Sequence, residues 1–425
     1  MASTISGRAT SANMGRAVAM RLWRTRRAGR HADARMSGGR PSVRRRVVVV
    51  AIAAVALVAG WAGLEAWSSV RAERLAGEHD ELVAWVRAMP RARPVLEGAP
   101  RECDSYAEQL RAVADVPDAA LFRDDAAIDA IVAGRPTTEV LALAMQHEAA
   151  LQAWNAVATC DHSELPLDLS RGVEGMDAPL APLFHATTLA LASACARSDD
   201  ECVGTAVRAM RLGQDLAPGG AMLGVMAASA RLELAMRALS RAANGASNDA
   251  LARAARALRA LDLAWPSLVD ALATESVAAA ATTRSDLDRQ GTLARLAALE
   301  AWAFFLGEAR AWERARHAHD AAQRSQLRAL AARRASSTSP RVLEGAGRLE
   351  LYVDHDAATR ARVRALVVAL ERRVGVAGEL PVDPFDGRPL RIDVSRVWSV
   401  GPNGTDDHGA EDDIVVELAR SLRTP

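Results

Sequence analysis

The 425-residue chain has no lysine; all 53 of its basic residues are arginine, set against 52 aspartates and glutamates. That skew reflects coding bias more than mechanism. Aromatic residues supply only 4% of the chain. Sandwiches and barrels draw on aromatic and β-branched side chains, so an all-β fold is excluded. Catalytic signatures are missing as well: there is no G-x-S-x-G elbow, no H-E-x-x-H pair, no phosphate loop and no dinucleotide-binding glycine fingerprint. The four cysteines form no C-x-x-C pair and no histidines stand at zinc spacing, which argues against a structural zinc.

Alanine, by contrast, is abundant, with 93 residues. It loses no side-chain entropy in a helix, so most of the chain is expected to be α-helical. With 50% hydrophobic and 25% charged residues the composition is globular, which excludes disorder over most of the length and suits two domains or one with an appendage.

The formal net charge of +1 conceals opposed ends. Residues 1–46 hold twelve arginines and the single acid Asp33, whereas from Ser68 onward 41 arginines face 50 acids, a net of −9. The main body therefore has no global basic surface, and no nucleic-acid partner is expected. Between these zones Val47 to Leu64 runs for eighteen residues without a charge, reaching Trp67 if Glu65 lies at the interface. At about 1.5 Å per residue the run covers roughly 27–31 Å, close to a hydrocarbon core of about 30 Å, so 47–67 reads as a transmembrane helix and the lipid bilayer as its first partner.

Arg44, Arg45 and Arg46 abut the start of that run. The positive-inside bias then keeps the basic tail 1–46, which has the composition of a disordered segment, in the cytoplasm and exports everything behind the span. Trp61 and Trp67 suit an aromatic belt on the far side. The expectation is a single-pass protein of the inner (cytoplasmic) membrane with its C-terminal domain in the periplasm or otherwise outside the cytoplasm. A cleaved signal peptide is the alternative, against an n-region of 46 residues and no small-x-small site directly after it. A twin-arginine signal at Arg44–Arg46 is a weaker variant, because no polar and aromatic residues follow.

Beyond the span, residues 68–99 read as a stalk helix and linker, 100–375 as an α-helical ectodomain and 376–425 as a small β tail with an acidic loop. Helices are expected near 104–114, 117–133, 137–160, 183–197, 202–216, 221–243, 250–261, 266–289, 292–335 and 357–374, separated by Pro, Gly and Asn-Gly signals. The fold class is mainly α: a transmembrane helix, a stack of helical hairpins and a C-terminal antiparallel β appendage. No 34-residue tetratricopeptide pattern recurs.

In an oxidising compartment four cysteines suggest disulfides. Cys195 ends one expected helix and Cys202 opens the next, so Cys195 with Cys202, hence Cys103 with Cys160, is the favoured pairing; four buried thiols are the alternative. His317-Ala-His319-Asp320 leaves only His317 and Asp320 on one helix face and reads as solvated. Asp354-His355-Asp356 reads as a turn whose Asp356 caps the helix from Ala357, and Glu78-His79-Asp80-Glu81 as a wet face. Trp154, Trp265, Trp302 and Trp312 read as core.

Composition shifts at Glu379, where alanine gives way to Pro, Gly, Asp and β-branched residues. Leu380 to Leu390 is a run of tight turns. Three short strands are expected, at 390–394, 397–400 and 414–416. Between the last two, Gly401 to Asp413 carries five carboxylates and one amide in thirteen residues, hard oxygen donors on a Gly-rich loop of the kind Ca²⁺ takes, although without the spacing of an EF-hand. Turns and caps that only order the sheet are the other reading.

Asp383-Pro384-Phe385 followed by Gly387, then Ser399-Val400-Gly401-Pro402-Asn403-Gly404 and Glu411-Asp412-Asp413-Ile414, resembles the C-terminal end of type II secretion major pseudopilins, and the tail of bacterial envelope proteins with Asp-Pro-Phe-x-Gly and Ser-Val-Gly-Pro-Asn-Gly. The pseudopilin end binds calcium. The resemblance therefore implies Asn403 and Asp413 as side-chain ligands, Ser399 and Val400 as donors of hydroxyl or backbone oxygen, and Asp406, Asp407 and Asp412 as substitutes. It covers about 40 residues, and Arg46-Val47-Val48 offers no pilin processing site, so the chain is not a processed pilin subunit. The expected role is a bitopic cell-envelope protein whose exported helical domain binds envelope proteins within a secretion or pilus-like system. An exported hydrolase using acidic residues is the alternative, with a sensor or regulatory anchor behind it.

Overall fold

Thirteen α-helices and three short strands make up the described residues of the computed structural model, which are 43–89, 106–113, 116, 122, 124–160, 168–175, 180–219, 221–265, 267–287, 291–316, 320–337, 342, 349–376 and 378–417. The chain parts into two units, 1–64 and 65–425. In the first, α1 (Val43–Arg87) begins and exposes Val47, Val50, Ile52, Val55, Leu57 and Val58 along its uncharged run. This helix is long and apolar enough to cross a membrane.

Within the second unit, the part of α1 expected to be a free stalk is instead a packed element. Leu75, Leu82 and Val86 repeat at i, i+7 and i+11 and are buried with Met89, the stripe an amphipathic helix turns to a core. They join a core built from α10 (Leu268–Leu287) and α11 (Thr292–Ala315). Asp80 pairs with Arg284 at 3.1 Å and Glu81 with Arg310. His79, expected on a wet face, is buried edge-on to Trp302.

The helical body continues through α2 (Tyr106–Val113), α3 (Asp125–Val132), α4 (Thr138–Gln146), α5 (Glu148–Ala158), α6 (Leu180–Arg197), α7 (Asp199–Gly219), α8 (Ala221–Ala242), α9 (Asn248–Leu263), α12 (Asp320–Ala335) and α13 (Leu349–Arg373). Its starts follow local chemistry. Asp124, Thr137 and Ser247 accept backbone N–H bonds at the heads of α3, α4 and α9, satisfying donors that no helical carbonyl reaches.

Some boundaries differ from the sequence expectation. The segment 137–160 breaks at His147 into α4 and α5, and 292–335 into α11 and α12. Residues 317–319, with both histidines of the His317 motif, lie outside the described residues. A seven-residue 3₁₀ element, Leu169–Gly175, kinked at Gly172, lies in the expected surface loop with Leu169 buried. Gly172 there has φ +65°, and a Cβ would stand 2.1 Å from the Thr282 hydroxyl of α10, so only glycine allows this approach. Helix α13 begins at Leu349, upstream of the expected Ala357, because Val353 is buried in the second core. Asp356 therefore lies inside a helix and does not cap one.

Two large cores result. One gathers α2 to α9 and one face of α13 around Trp154; the other gathers α1, α10, α11 and α12 around Trp302 and Trp312. Strands β1 (Arg391–Ile392), β2 (Arg396–Ser399) and β3 (Ile414–Glu417) form an antiparallel sheet in that order, with Val397 opposite Val416 and Ser399 opposite Ile414. The sheet lies on α13 through Ala357, Ala361, Ala365 and Val368.

The second core encloses an ion pair. Arg334 of α12 donates Nε to both oxygens of Glu308 at 2.8 and 2.9 Å, and its Nη1 lies 3.4 Å from Glu275. Trp312 Nε1 donates to Ser276 at 3.1 Å, and Ser276 donates to Glu308 at 3.4 Å. Burial pushes the Glu308 carboxyl above its ordinary value, against the pull of Arg334. Replacing one member strands the other charge. Arg334→Met is expected to cost about 3–5 kcal/mol in urea unfolding of the full chain, and pairing it with Glu308→Leu should recover most of that. A loss below about 1 kcal/mol in the single variant would mean that the pair does not organise this core.

Candidate functional site

The tail is built around one carboxylate. Asp383 is fully buried and accepts from Ser399 Oγ at 2.8 Å, Val400 N at 2.9 Å, Phe385 N at 2.9 Å and Arg391 Nη1 at 3.0 Å. Its own backbone closes the turn: Asp383 N donates to Arg388 O at 2.6 Å, and Gly387 N donates to Asp383 O at 2.9 Å. Arg391 also pairs with Asp386 and lies 3.7 Å from Asp406. Asp393 closes the β1–β2 turn by accepting from Ser395 N and Arg396 N; these bonds hold its carboxyl down at about 2.

The expected calcium ligands all belong to this tail, and most are engaged within it, while Asp413 Oδ1 is buried with no hydrogen-bond partner among the described residues. Ser399 donates its hydroxyl, and Val400 its N–H, to Asp383. Asn403 turns its NH₂ toward Asp407 and Asp412, while Asp412 also accepts from Asn403 N at 3.0 Å. Trp398 Nε1 donates to Asp406 at 3.0 Å, which lowers that carboxyl. Asp413 accepts from Asp407 N at 3.1 Å and Gly409 N at 2.7 Å. Among the described residues no group of three or more His, Cys, Asp or Glu is arranged to hold a metal. The loop is close-knit for a plain reason: at Gly401, φ +64°, a Cβ would stand 2.2 Å from Asp412 O.

Asp413 keeps one cost of this arrangement. Burial raises its carboxyl above 3.8, the Gly409 N–H opposes this, and Asp407 and Asp406 add repulsion. A carboxyl raised in the folded state binds its proton more tightly there than in the unfolded chain. Its contribution is thus full below about 3.8 and is lost as pH rises through the folded value.

A hydrolase using acidic residues would draw on carboxylates such as Asp354 and Asp356 or those of the tail loop. Asp354 accepts two bonds from Arg328 at 2.8 and 3.0 Å, and Asp356 accepts from Trp265 Nε1 at 3.3 Å. The cavity beside Asp356 and Arg360 measures about 30 Å³, space for one or two waters rather than a substrate.

Cys195 and Cys202 are disulfide-bonded across the turn between α6 and α7, with Cα atoms 4.3 Å apart. Cys160, at the end of α5, is also disulfide-bonded; Cys103 lies outside the described residues. The Cys195–Cys202 bond pins one end of a solvent-open groove of about 890 Å³ between α4, α5, α6 and α7. Leu141, Met145, Leu151, Trp154 and Ala190 give it an apolar lining. Trp154 is anchored by its Nε1, which donates to Thr187 at 3.0 Å, while Thr187 donates to Leu183 O at 2.7 Å. Met145 is 73% exposed at the lip. Arg197 and Arg208 border the groove. No sequence motif marked it, because its residues come from four helices and share no spacing.

Two outcomes follow for the tail. Asp383→Ala leaves several buried donors without an acceptor, at about 1–3 kcal/mol each; limited proteolysis should then open residues 378–417 while far-UV helicity holds, and an unchanged digestion pattern would deny Asp383 its organising role. Asp413→Asn should remove the cost of ionising this carboxyl, so the variant's thermal midpoint should gain on that of the unaltered chain as pH rises above about 3.8; a difference that stays constant with pH would deny Asp413 this role. In comparison with known proteins, no family model matches this chain, nor does any curated protein or solved structure.

Proposed function

We propose that this chain is a single-pass cell-envelope protein whose helical body, exported beyond the inner membrane, binds another envelope protein through the groove between α4, α5, α6 and α7. The observation that carries this reading is the groove itself. It sets the exposed Met145 beside the half-buried Leu141 and Leu151 in one concave lining, and contiguous apolar surfaces of that kind mark interaction sites. A segment that places two or three large side chains on Leu141, Met145 and Leu151 gains about 1.5–3 kcal/mol for each one fully buried. Arg197 and Arg208 at the border favour an acidic residue on that segment.

Export rests on the arginines before the uncharged run of α1 and is supported by cysteines in disulfide linkage. The tail's resemblance to type II secretion major pseudopilins is the reason to look for the partner in a secretion or pilus-like assembly. The tail enters this reading as a structural element, with most of its carboxylates engaged by N–H donors and arginine. At Asp356 the described residues enclose a cavity of only about 30 Å³, which gives the hydrolase alternative no support.

Two measurements test it. A phosphatase that folds only outside the cytosol, fused after Pro425, is expected to be active; activity confined to a cytosolic reporter overturns the topology. A photo-crosslinking residue at Met145 of the full chain in its native membrane is expected to capture one discrete envelope protein, and Leu141→Asp to abolish the capture. Capture that persists in Leu141→Asp would show that the groove is not the binding surface.

A further inference from the structure

Arg231 lies on α8, fully buried, where α7 and α8 pass close together. The closeness comes from Gly213: a Cβ there would stand 3.3 Å from Ala228 O and 3.8 Å from Arg231 Cβ. The guanidinium leads away from this crossing to the first turn of α6, where its Nη2 donates to the carbonyl of Leu180. Its Nε and Nη1 have no acceptor. Two other buried arginines are matched by acids: Arg334 by Glu308, Arg364 by Asp262. Among the described residues no carboxylate acts on Arg231. Burial alone governs it, and pushes it down to about 9, which still leaves it charged at neutral pH.

The place where it ends makes the imbalance larger. Helix α6 runs for eighteen residues from Leu180, so its first N–H groups point outward and its positive pole lies beside a second positive group. A buried guanidinium beside the N-terminus of a helix forms the complement of an anion. A neutral molecule would satisfy hydrogen bonds but not charge.

We infer that Arg231 and the N-terminus of α6 together form a buried binding site for a small inorganic anion of the size and charge of chloride. The site belongs to the packing of α6, α7 and α8, and is independent of the groove proposed for protein binding. Occupancy locks α6 to α8, and so steadies the helix that carries Cys195 and one wall of the groove.

The test uses the full chain in detergent, with sodium chloride and sodium gluconate compared at equal ionic strength. Chloride is expected to raise the thermal midpoint by about 2 °C or more over gluconate and to saturate, as binding to the native state alone requires. Arg231→Met is expected to abolish the difference between the two salts. Equal midpoints for the wild-type chain in both salts would overturn the inference, as would a chloride effect that survives in Arg231→Met. Should that variant not fold, crystals of the wild-type chain grown in bromide decide the matter: an anomalous peak within about 3.5 Å of Nε or Nη1 supports the site, and its absence rejects it.

Discussion

The C-terminal tail and the helical body share a single helix, and the arrangement of everything after residue 349 depends on the two faces of α13. Its small residues Ala357, Ala361 and Ala365, with Val368, repeat at intervals of three or four and meet the sheet. Val363, Leu366, Val367 and Leu370 fill the opposite face and enter the first core. Alanine lets backbone approach sheet closely, whereas the branched and longer residues fill a space between helices. Polar contacts at the rims fix the rotation of the helix. Arg364 and Arg360 both reach Asp262 of α9, at 2.9 and 3.0 Å, and Glu371 takes two bonds from Arg259 at 2.8 and 2.7 Å. Neither face alone is wide enough to position a sheet whose strands have two to four residues.

That economy explains why the tail concentrates so many charges. A three-stranded sheet this short buries little apolar surface, so its turns must be held by hydrogen bonds to charged groups, which are stronger than neutral ones. Asp383 is the extreme case, a carboxylate with no exposure that joins the first turn, β1 and the end of β2. The motif that resembles pseudopilin tails thus has a structural use here that needs no metal: the aspartate before Pro384 receives the serine hydroxyl and the following N–H of the second motif. The acidic loop follows the same logic. Four of its five carboxylates, the aspartates, are faced by Arg391, Trp398 Nε1, Asn403 and turn N–H groups.

The helical class, the long apolar helix and the small antiparallel tail were legible in the sequence, since alanine content, an uncharged run and a local change of composition are local signals. Helix ends were legible where a side chain caps them, as at Thr137 and Ser247. They were misjudged where tertiary burial decides, as at Val353, which draws α13 upstream. His79 shows the same limit: flanked by Glu78, Asp80 and Glu81 it reads as solvent-facing, yet a helix turns about 100° per residue and places it against Trp302. The groove left no trace, because Leu141, Trp154 and Ala190 become neighbours only when four helices pack. Arg231 was equally hidden, since one arginine among 53 carries no mark of its surroundings.

Tethering changes what the groove must accomplish. A freely diffusing domain needs a large interface to hold a partner, because association costs translational and rotational freedom. Under the proposed envelope role, a body that follows a membrane helix would meet other envelope proteins in a thin layer, where part of that cost has already been met and effective concentrations are high. A groove lined by a few apolar side chains, with arginines at its border, is then sufficient for reversible association. The rigidity of its walls matters more than its area, and the disulfide at Cys202, the Trp154–Thr187 bond and the close crossing of α7 and α8 at Gly213 all supply rigidity.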